Sequence, residues 1–236
     1  MFRKISAFLI ATLFVVVSLT ATANANARTN ETRESVRNPI NLAILIQDDL
    51  ISRVGNELRV TKDFIRALPP GSRVMVGYIT SGALQVRQPF TTDLDRAANS
   101  LRIPIASTSA SPYNPYVEVI DAMKKFDSSW GGQKAVLLIS DGLDTSRGFD
   151  ATTAGHTLDI DRTISEAIRR DISIYSFYAP SVGLTSYNRL AASYGQSSLN
   201  RVSHDTGGKA FFQGTTGFVT FDSYFDRLRR ELNKVS

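Results

Sequence analysis

The chain alternates short apolar runs with segments whose apolar residues recur at helical spacing. Residues 39–47, PINLAILIQ, are almost continuously apolar, as is typical of a strand buried on both faces. Residues 134–140, KAVLLIS, predict a second strand of this kind. Weaker patterns predict four more strands: SRVMVGYIT at 72–80, GALQVRQPF at 82–90, DISIYSFYA at 171–179 and GKAFFQ at 208–213.

Helical periodicity fills the intervals between these strands. Thr92-Asp93-Leu94-Asp95 matches a capping box and predicts a helix to about Leu101, and PPG at 69–71 ends an earlier helix. Helices are predicted at 54–68, 92–101, 116–123, 161–170, 186–195 and 218–232. This alternation predicts an α/β domain over 39–236: a doubly wound, mostly parallel sheet of about six strands, with helices on both faces.

The first 27 residues differ from the rest of the chain. Arg3 and Lys4 precede the apolar run ISAFLIATLFVVVSL, and Ala25 and Ala27 form an A-x-A site. This order is typical of a secretory signal peptide, and it predicts cleavage after Ala27. Residues 28–38 are polar and predict a flexible linker. We therefore expect a periplasmic or secreted protein without a stable membrane anchor after cleavage.

Composition excludes several classes of function. The chain has no cysteine, which excludes disulfides, thiolate metal sites and thiol catalysis. Its formal net charge is +5, and its Lys and Arg residues are scattered, so nothing indicates a nucleic-acid partner. The sequence contains no G-x-S-x-G, H-E-x-x-H, Walker loop or G-x-G-x-x-G motif.

Acidic residues follow the two most apolar strands. The first strand ends at Asp48 and the second at Asp141. In an open α/β sheet, ligands bind outside the carboxyl ends of the strands, so both carboxylates are expected at one edge. Residues 106–116, ASTSASPYNPY, add hydroxyl groups to that edge. Carboxylates, hydroxyls and water are the ligands of a hard cation such as Mg²⁺.

On these residues the sequence resembles the von Willebrand factor type A domain family. The matching features are NLAILIQD, the TSASPYN loop before a helix, and VLLISDGLDT at 136–145. FTTDLDRAANSL and TGGKAFF are similar to its bacterial branch. The resemblance covers about residues 39–234 and implies a Rossmann-like fold with a metal-ion-dependent adhesion site.

That site uses Asp-x-Ser-x-Ser after the first strand, a Thr in a middle loop and an Asp after the fourth strand. The resemblance implies Asp48 and Ser52 as ligands from the first segment and Asp141 from the last. Leu50 occupies the position of an expected serine ligand. Because Mg²⁺ requires near-octahedral oxygen coordination, a weak or vestigial site is expected.

The middle-loop ligand is less sharply defined. Ser111, which precedes Pro112, is the best match for the family's threonine, and Thr108 and Ser109 are alternatives. A helix N-cap is an equal interpretation of Ser111.

Three functional hypotheses follow. The first is a secreted, non-enzymatic module that binds a protein partner at the carboxyl edge of the sheet, where family members complete the metal's coordination with a partner's acidic side chain. The second is a metal-dependent hydrolase that uses Asp48 and Asp141. The third is a structural module of an envelope assembly that uses another surface.

Overall fold

The computed structural model describes residues 38–110, 114–146, 148, 157–213 and 220–233. The predicted signal peptide, linker residues 28–37 and Ser111 lie outside these residues. From Asn38 onward the chain forms one compact unit. Within the described ranges, no helix combines the length and the apolar character that crossing a bilayer requires.

A six-stranded sheet forms the centre of this unit. The strand order is β3-β2-β1-β4-β5-β6, and every neighbouring pair is parallel except β2 and β3. The strands are β1 (Ile40–Gln47), β2 (Arg73–Thr80), β3 (Ala83–Thr91), β4 (Gln133–Ser140), β5 (Ile172–Tyr178) and β6 (Ala210–Phe211). The predicted doubly wound, mostly parallel α/β fold is confirmed.

Helices cover both faces of the sheet. They are α1 (Val54–Arg66), α2 (Leu94–Asn99), α3 (Pro115–Met123), α4 (Leu158–Arg170), α5 (Arg189–Asp205) and α6 (Asp222–Leu232). Helices α1, α2 and α6 pack in one apolar core, and α3, α4 and α5 pack in the other. Because successive side chains of a strand point to opposite faces, Ile44 of β1 enters the first core and Leu45 enters the second.

The helix boundaries differ from the predicted ones by one to four residues at several ends and by ten at the end of α5. Helix α4 begins at Leu158, three residues before the predicted start, because Thr157 caps it by accepting a hydrogen bond from the Ile160 amide. Helix α5 extends to Asp205, ten residues beyond the prediction. Its second half is rich in polar residues, and burial of Leu199 and Val202 in the core stabilises it.

A close backbone contact fixes helix α5 against the turn that follows β4. A Cβ atom on Gly195 would lie 1.9 Å from the backbone oxygen of Asp141. On the other side of the contact, Gly142 has φ +72°, and a Cβ there would lie 2.4 Å from the Gly195 oxygen. Only glycine fits at both positions, so this pair sets the height of the helix above Asp141.

We predict that Gly195→Ala destabilises the protein, although alanine normally stabilises a helix interior by about 1 kcal/mol relative to glycine. The added methyl group meets backbone, so the free energy of unfolding should fall by about 2 kcal/mol, measured by urea denaturation.

Gly131→Ala is the matched control, because a Cβ at Gly131 meets nothing within 4 Å. It should change the free energy of unfolding by less than about 0.5 kcal/mol. A Gly195→Ala protein more stable than the wild type would contradict the contact.

Candidate functional site

The register of β1 and β4 places the two predicted acids at the same rim. The strands are adjacent and parallel, and Ile46 pairs with Ile139. Asp48 and Asp141 each follow two residues later, at the carboxyl ends of their strands. The side chains of both are almost completely buried. A buried carboxylate requires charge neutralisation or several hydrogen bonds, so the partners of each acid determine what it can do.

Asp48 is neutralised by an arginine of its own chain. Nη1 of Arg102 lies 2.6 Å from Oδ1 of Asp48, and Nη2 lies 2.7 Å from Oδ2. The Thr80 hydroxyl donates to Oδ2 at 2.8 Å, and the Ile105 amide donates to Oδ1 at 3.1 Å. Burial raises the pKa of Asp48, but the hydrogen bonds from Arg102, Thr80 and Ile105 together hold it below its ordinary value.

Tyr78 of β2 holds Arg102 in place. The centre of the guanidinium lies 4.0 Å from the centroid of the Tyr78 ring, a cation–π distance. The Tyr78 hydroxyl donates to the Arg102 carbonyl at 2.6 Å and accepts from the Arg102 amide at 2.7 Å. Both the side chain and the backbone of Arg102 are therefore fixed to the sheet.

These contacts fix residues 100–107, the connection between helix α2 and the 3₁₀ turn that precedes α3, to the end of β1. The Ala106 amide donates to the Asp48 carbonyl at 3.1 Å. Ala106 has φ +54°, a left-handed conformation that is uncommon for a residue with a side chain. We refer to the interactions of Asp48 with Arg102, Thr80, Ile105 and Ala106 as the Asp48 clamp.

Asp141 lies in a different environment, which contains no cationic partner among its hydrogen bonds. Its Oδ1 accepts from the Leu143 amide at 3.1 Å, and its Oδ2 accepts from the Thr185 hydroxyl at 3.0 Å. Its own amide donates to the Gln47 side chain at 3.1 Å. Burial raises the pKa of Asp141 above its ordinary value, despite these hydrogen bonds.

Leu50 and Ser52, the other described residues of the predicted set, do not join the two acids. Leu50 is fully buried in the core beside α1. It forms an antiparallel bridge with Ser181, so residues 49–51 pair with residues 180–182. Ser52 is exposed. The structure therefore brings Asp48 and Asp141 to one rim, but each carboxylate has its own hydrogen-bond partners. Ser111 lies outside the described residues.

The alternative middle-loop ligands lie in a 3₁₀ turn, Thr108–Ala110. The Ser109 hydroxyl bonds the Ser107 hydroxyl at 2.8 Å, and the Ser109 carbonyl accepts from the Ser81 hydroxyl at 2.9 Å. Ser109 therefore ties the turn to the β2–β3 hairpin. Neither contact involves Asp48 or Asp141.

The described residues do not fit a divalent cation. Protein donors occupy all four lone-pair directions of the Asp48 carboxylate. Leu50 packs in the core, and its side chain has no lone pair with which to bind a metal ion. Within the described ranges no three His, Cys, Asp or Glu side chains form a group that could hold a metal ion. The adhesion-type metal site stays a prediction from the resemblance.

Sequence reasoning did not identify Arg102, Tyr78 or Thr185. Arg102 lies in an irregular connection more than fifty residues from Asp48, and no local pattern marks it as a partner of a strand-end acid. Thr80 ends the neighbouring strand β2, and this position could have signalled a rim hydroxyl.

Exposed apolar side chains concentrate at the same rim. Eight large apolar residues are exposed among those that the structure describes. Five of them lie where the chain leaves a strand or begins a helix at the carboxyl edge, and Ile103 and Ile105 lie in the connection that binds Asp48 at that edge. The eighth, Ile168, lies in the last turn of α4, at the opposite edge. We define the apolar rim as Ile103, Ile105, Val117, Leu158, Tyr187, Leu190 and Phe212.

No family model and no curated protein matches the sequence. Solved structures do share the fold. The chain is similar to the conserved hypothetical protein BatB from Bacteroides thetaiotaomicron, with 15% identity, a TM-score of 0.57, and coverage of 83% of this chain and 98% of that chain. An aerotolerance-related membrane protein from Bacteroides fragilis gives 13% identity, a TM-score of 0.54, and coverage of 83% and 99%.

The human COPII-coat protein Sec24c is also similar, with 11% identity and a TM-score of 0.52 over 83% of this chain and 32% of that chain. Together with the strand order, these neighbours show a von Willebrand factor type A-type fold. At such low identities the similarity establishes the fold and does not extend to a metal site or an activity.

We predict that Arg102→Ala lowers the free energy of unfolding by about 3 kcal/mol, because it leaves the buried Asp48 carboxylate without its cation. Thermal and urea unfolding at neutral pH would measure the loss. Arg59→Ala is the control, because Arg59 pairs with Asp63 on the surface at 3.5 Å and should contribute less than about 1 kcal/mol. Equal effects of the two substitutions would show that the ion pair of Asp48 and Arg102 contributes no more to stability than a surface ion pair does.

We also predict that the two rim acids have opposite effects on the pH dependence of stability. Asp48 has a lowered pKa, so its contribution is present above the ordinary pKa of an aspartate and is lost as the pH falls through the lowered value. Asp141 has a raised pKa, so its contribution is present below the ordinary pKa and is lost as the pH rises through the raised value.

Asp141→Asn should therefore gain stability relative to the wild type as the pH rises from about 4 to 7, whereas Asp48→Asn should lose stability relative to the wild type as the pH rises from about 2 to 4 and then stay level. Urea denaturation of the three proteins from about pH 2 to 7 measures both trends. Parallel trends for the two variants would contradict the different environments assigned to these acids.

Proposed function

We propose that this chain is a non-enzymatic interaction module that binds a protein partner through its apolar rim. The observation that carries the proposal is the concentration of exposed apolar side chains at one edge of the sheet. Single exposed apolar residues are normal on protein surfaces, but clusters of them are typical of interaction sites. Tyr187 is 76% exposed, and tyrosine is among the residues that most often contribute strongly to binding.

The rim is also held rigidly, which favours binding. Ile103 and Ile105 belong to the connection that the Asp48 clamp fixes to β1. Tyr187 and Leu190 flank Asn188, whose side chain caps α5 by accepting from the amides of Leu190 and Ala191. Side chains already held in position lose little conformational entropy when a partner binds.

The same rim gives little support to a hydrolase. A metal-bound water would need free carboxylate oxygens, yet Asp48 is occupied by Arg102, and Asp141 is buried against Leu143 and Thr185. The neighbours BatB and Sec24c, the second of which is named as a coat protein, are compatible with a non-catalytic module. We therefore favour binding over catalysis as the role of this edge.

Within this proposal the protein acts outside the cytoplasm. The support is the order of Arg3 and Lys4, an apolar run, and the A-x-A site that ends at Ala27. The partner would then be a periplasmic, secreted or envelope protein that presents an apolar surface.

A photo-crosslinking amino acid placed at single positions tests the proposal in the native host. Ile103 and Tyr187 are the rim positions, and Ile168 is the matched control, because Ile103 and Ile168 are both 62% exposed. We expect adducts with the same protein from both rim positions and none from Ile168. Adding Ile105→Asp should reduce the adduct yield about tenfold, because a charge replaces a buried apolar contact.

Other outcomes would redirect the assignment. Adducts with that protein at Ile168 alone would favour the structural module that uses another surface. Adducts with lipid alone would replace the protein partner with a membrane surface. An unchanged yield from Ile105→Asp would show that the rim does not carry the binding.

A further inference from the structure

We infer that the Arg102 guanidinium takes the place of a divalent cation at Asp48, so that this rim is assembled without metal and Asp48 is closed to divalent ions. The inference goes beyond the proposed binding function, because it concerns how the rim is built rather than what it binds. It rests on three features of the Asp48 clamp: saturation of the carboxylate, fixation of the arginine, and the neighbours of the pair.

The first feature is saturation. Each oxygen of Asp48 accepts two hydrogen bonds: Oδ1 accepts from Arg102 and the Ile105 amide, and Oδ2 accepts from Arg102 and the Thr80 hydroxyl. A carboxylate offers about four lone-pair directions. A metal ion could bind Asp48 only after displacing protein donors, among them a guanidinium that already supplies the neutralising charge.

The second feature is that Arg102 is not a surface side chain that happens to reach an acid. Its side chain is 27% exposed, it stacks on Tyr78, and its Nη1 also donates to the Ile103 carbonyl at 3.1 Å. The Tyr78 hydroxyl bonds both the amide and the carbonyl of Arg102. A planar guanidinium held in this way matches a carboxylate with two parallel hydrogen bonds, which a lysine could not do.

The third feature is the set of neighbours. Where the family resemblance would require a hydroxyl ligand, Leu50 fills the core. Asp141, the second acid, accepts hydrogen bonds from the Leu143 amide and the Thr185 hydroxyl. Mg²⁺ gives up its water reluctantly and demands octahedral oxygen coordination, and while Arg102 is in place Asp48 has no free direction to contribute to it.

The arginine also does for the chain what a bound ion would do. It neutralises a buried carboxylate, and it ties residues 102–106 to the end of β1. Unlike an ion, it leaves no open coordination position for an incoming carboxylate. A ligand of this rim would therefore not need an acidic side chain to complete a metal's coordination.

Mn²⁺ binding to the purified protein, followed by electron paramagnetic resonance, tests the inference. The wild type should show no saturable Mn²⁺ binding below about 1 mM, the weak end of protein sites for hard cations. Its unfolding temperature should be the same in EDTA as in excess Mg²⁺. Arg102→Ala should gain saturable Mn²⁺ binding, and its unfolding temperature should rise when Mg²⁺ is added, because the vacated carboxylate then gains from a cation.

Three further variants complete the test. Asp48→Asn/Arg102→Ala should lose the gained Mn²⁺ binding, which assigns it to Asp48. Arg59→Ala removes an exposed arginine from an ion pair with Asp63 and should gain no binding. Arg102→Gln provides a milder replacement if Arg102→Ala does not fold.

Two results would overturn the inference. The first is Mn²⁺ binding by the wild type at submillimolar concentration that Asp48→Asn abolishes, because Asp48 would then be open to metal beside the arginine. The second is a folded Arg102→Ala or Arg102→Gln protein that binds no Mn²⁺ and whose unfolding temperature does not change when Mg²⁺ is added. If neither arginine variant folds, the wild-type comparison in EDTA and Mg²⁺ decides: equal unfolding temperatures support the inference and a rise in Mg²⁺ overturns it.

Discussion

The buried carboxylate of Asp48 sets the constraint on which the carboxyl rim of this protein depends. Strand β1 is buried along its whole length, so the acid that follows it emerges inside the fold rather than in water. A charge in that position must be neutralised. Arg102 does so, and the same interaction draws the connection before α3 onto the strand end. The interaction that neutralises the charge of Asp48 therefore also positions Ile103 and Ile105.

The second acid of the rim shows a different solution to the same problem. Asp141 follows the neighbouring strand β4 and is also buried, but its hydrogen bonds come from neutral groups. The close contact between Gly142 and Gly195 brings helix α5 against this turn. Two acids in matching positions on adjacent strands thus differ in charge environment because different elements pack over them.

Much of the fold could be predicted from the pattern of the chain. The two most apolar runs became adjacent central strands, and the alternation of strands and helices gave the doubly wound order. The helix boundaries were less accurate. Helix α5 exceeds its predicted length because tertiary burial of Leu199 and Val202 stabilises a polar segment whose own propensity is weak.

The sequence by itself determined the sheet, the two strand-end acids and their common rim, because hydrophobic periodicity and the rules of parallel βαβ connection are local or nearly local. The tertiary structure alone decided what those acids do. Arg102 reaches Asp48 from a connection without regular structure, and Thr185 reaches Asp141 from the 3₁₀ turn in the connection after β5. Hydrogen bonds between residues so distant in the chain produce no periodic pattern in the sequence. The partners of the two acids could therefore be identified only from the tertiary structure.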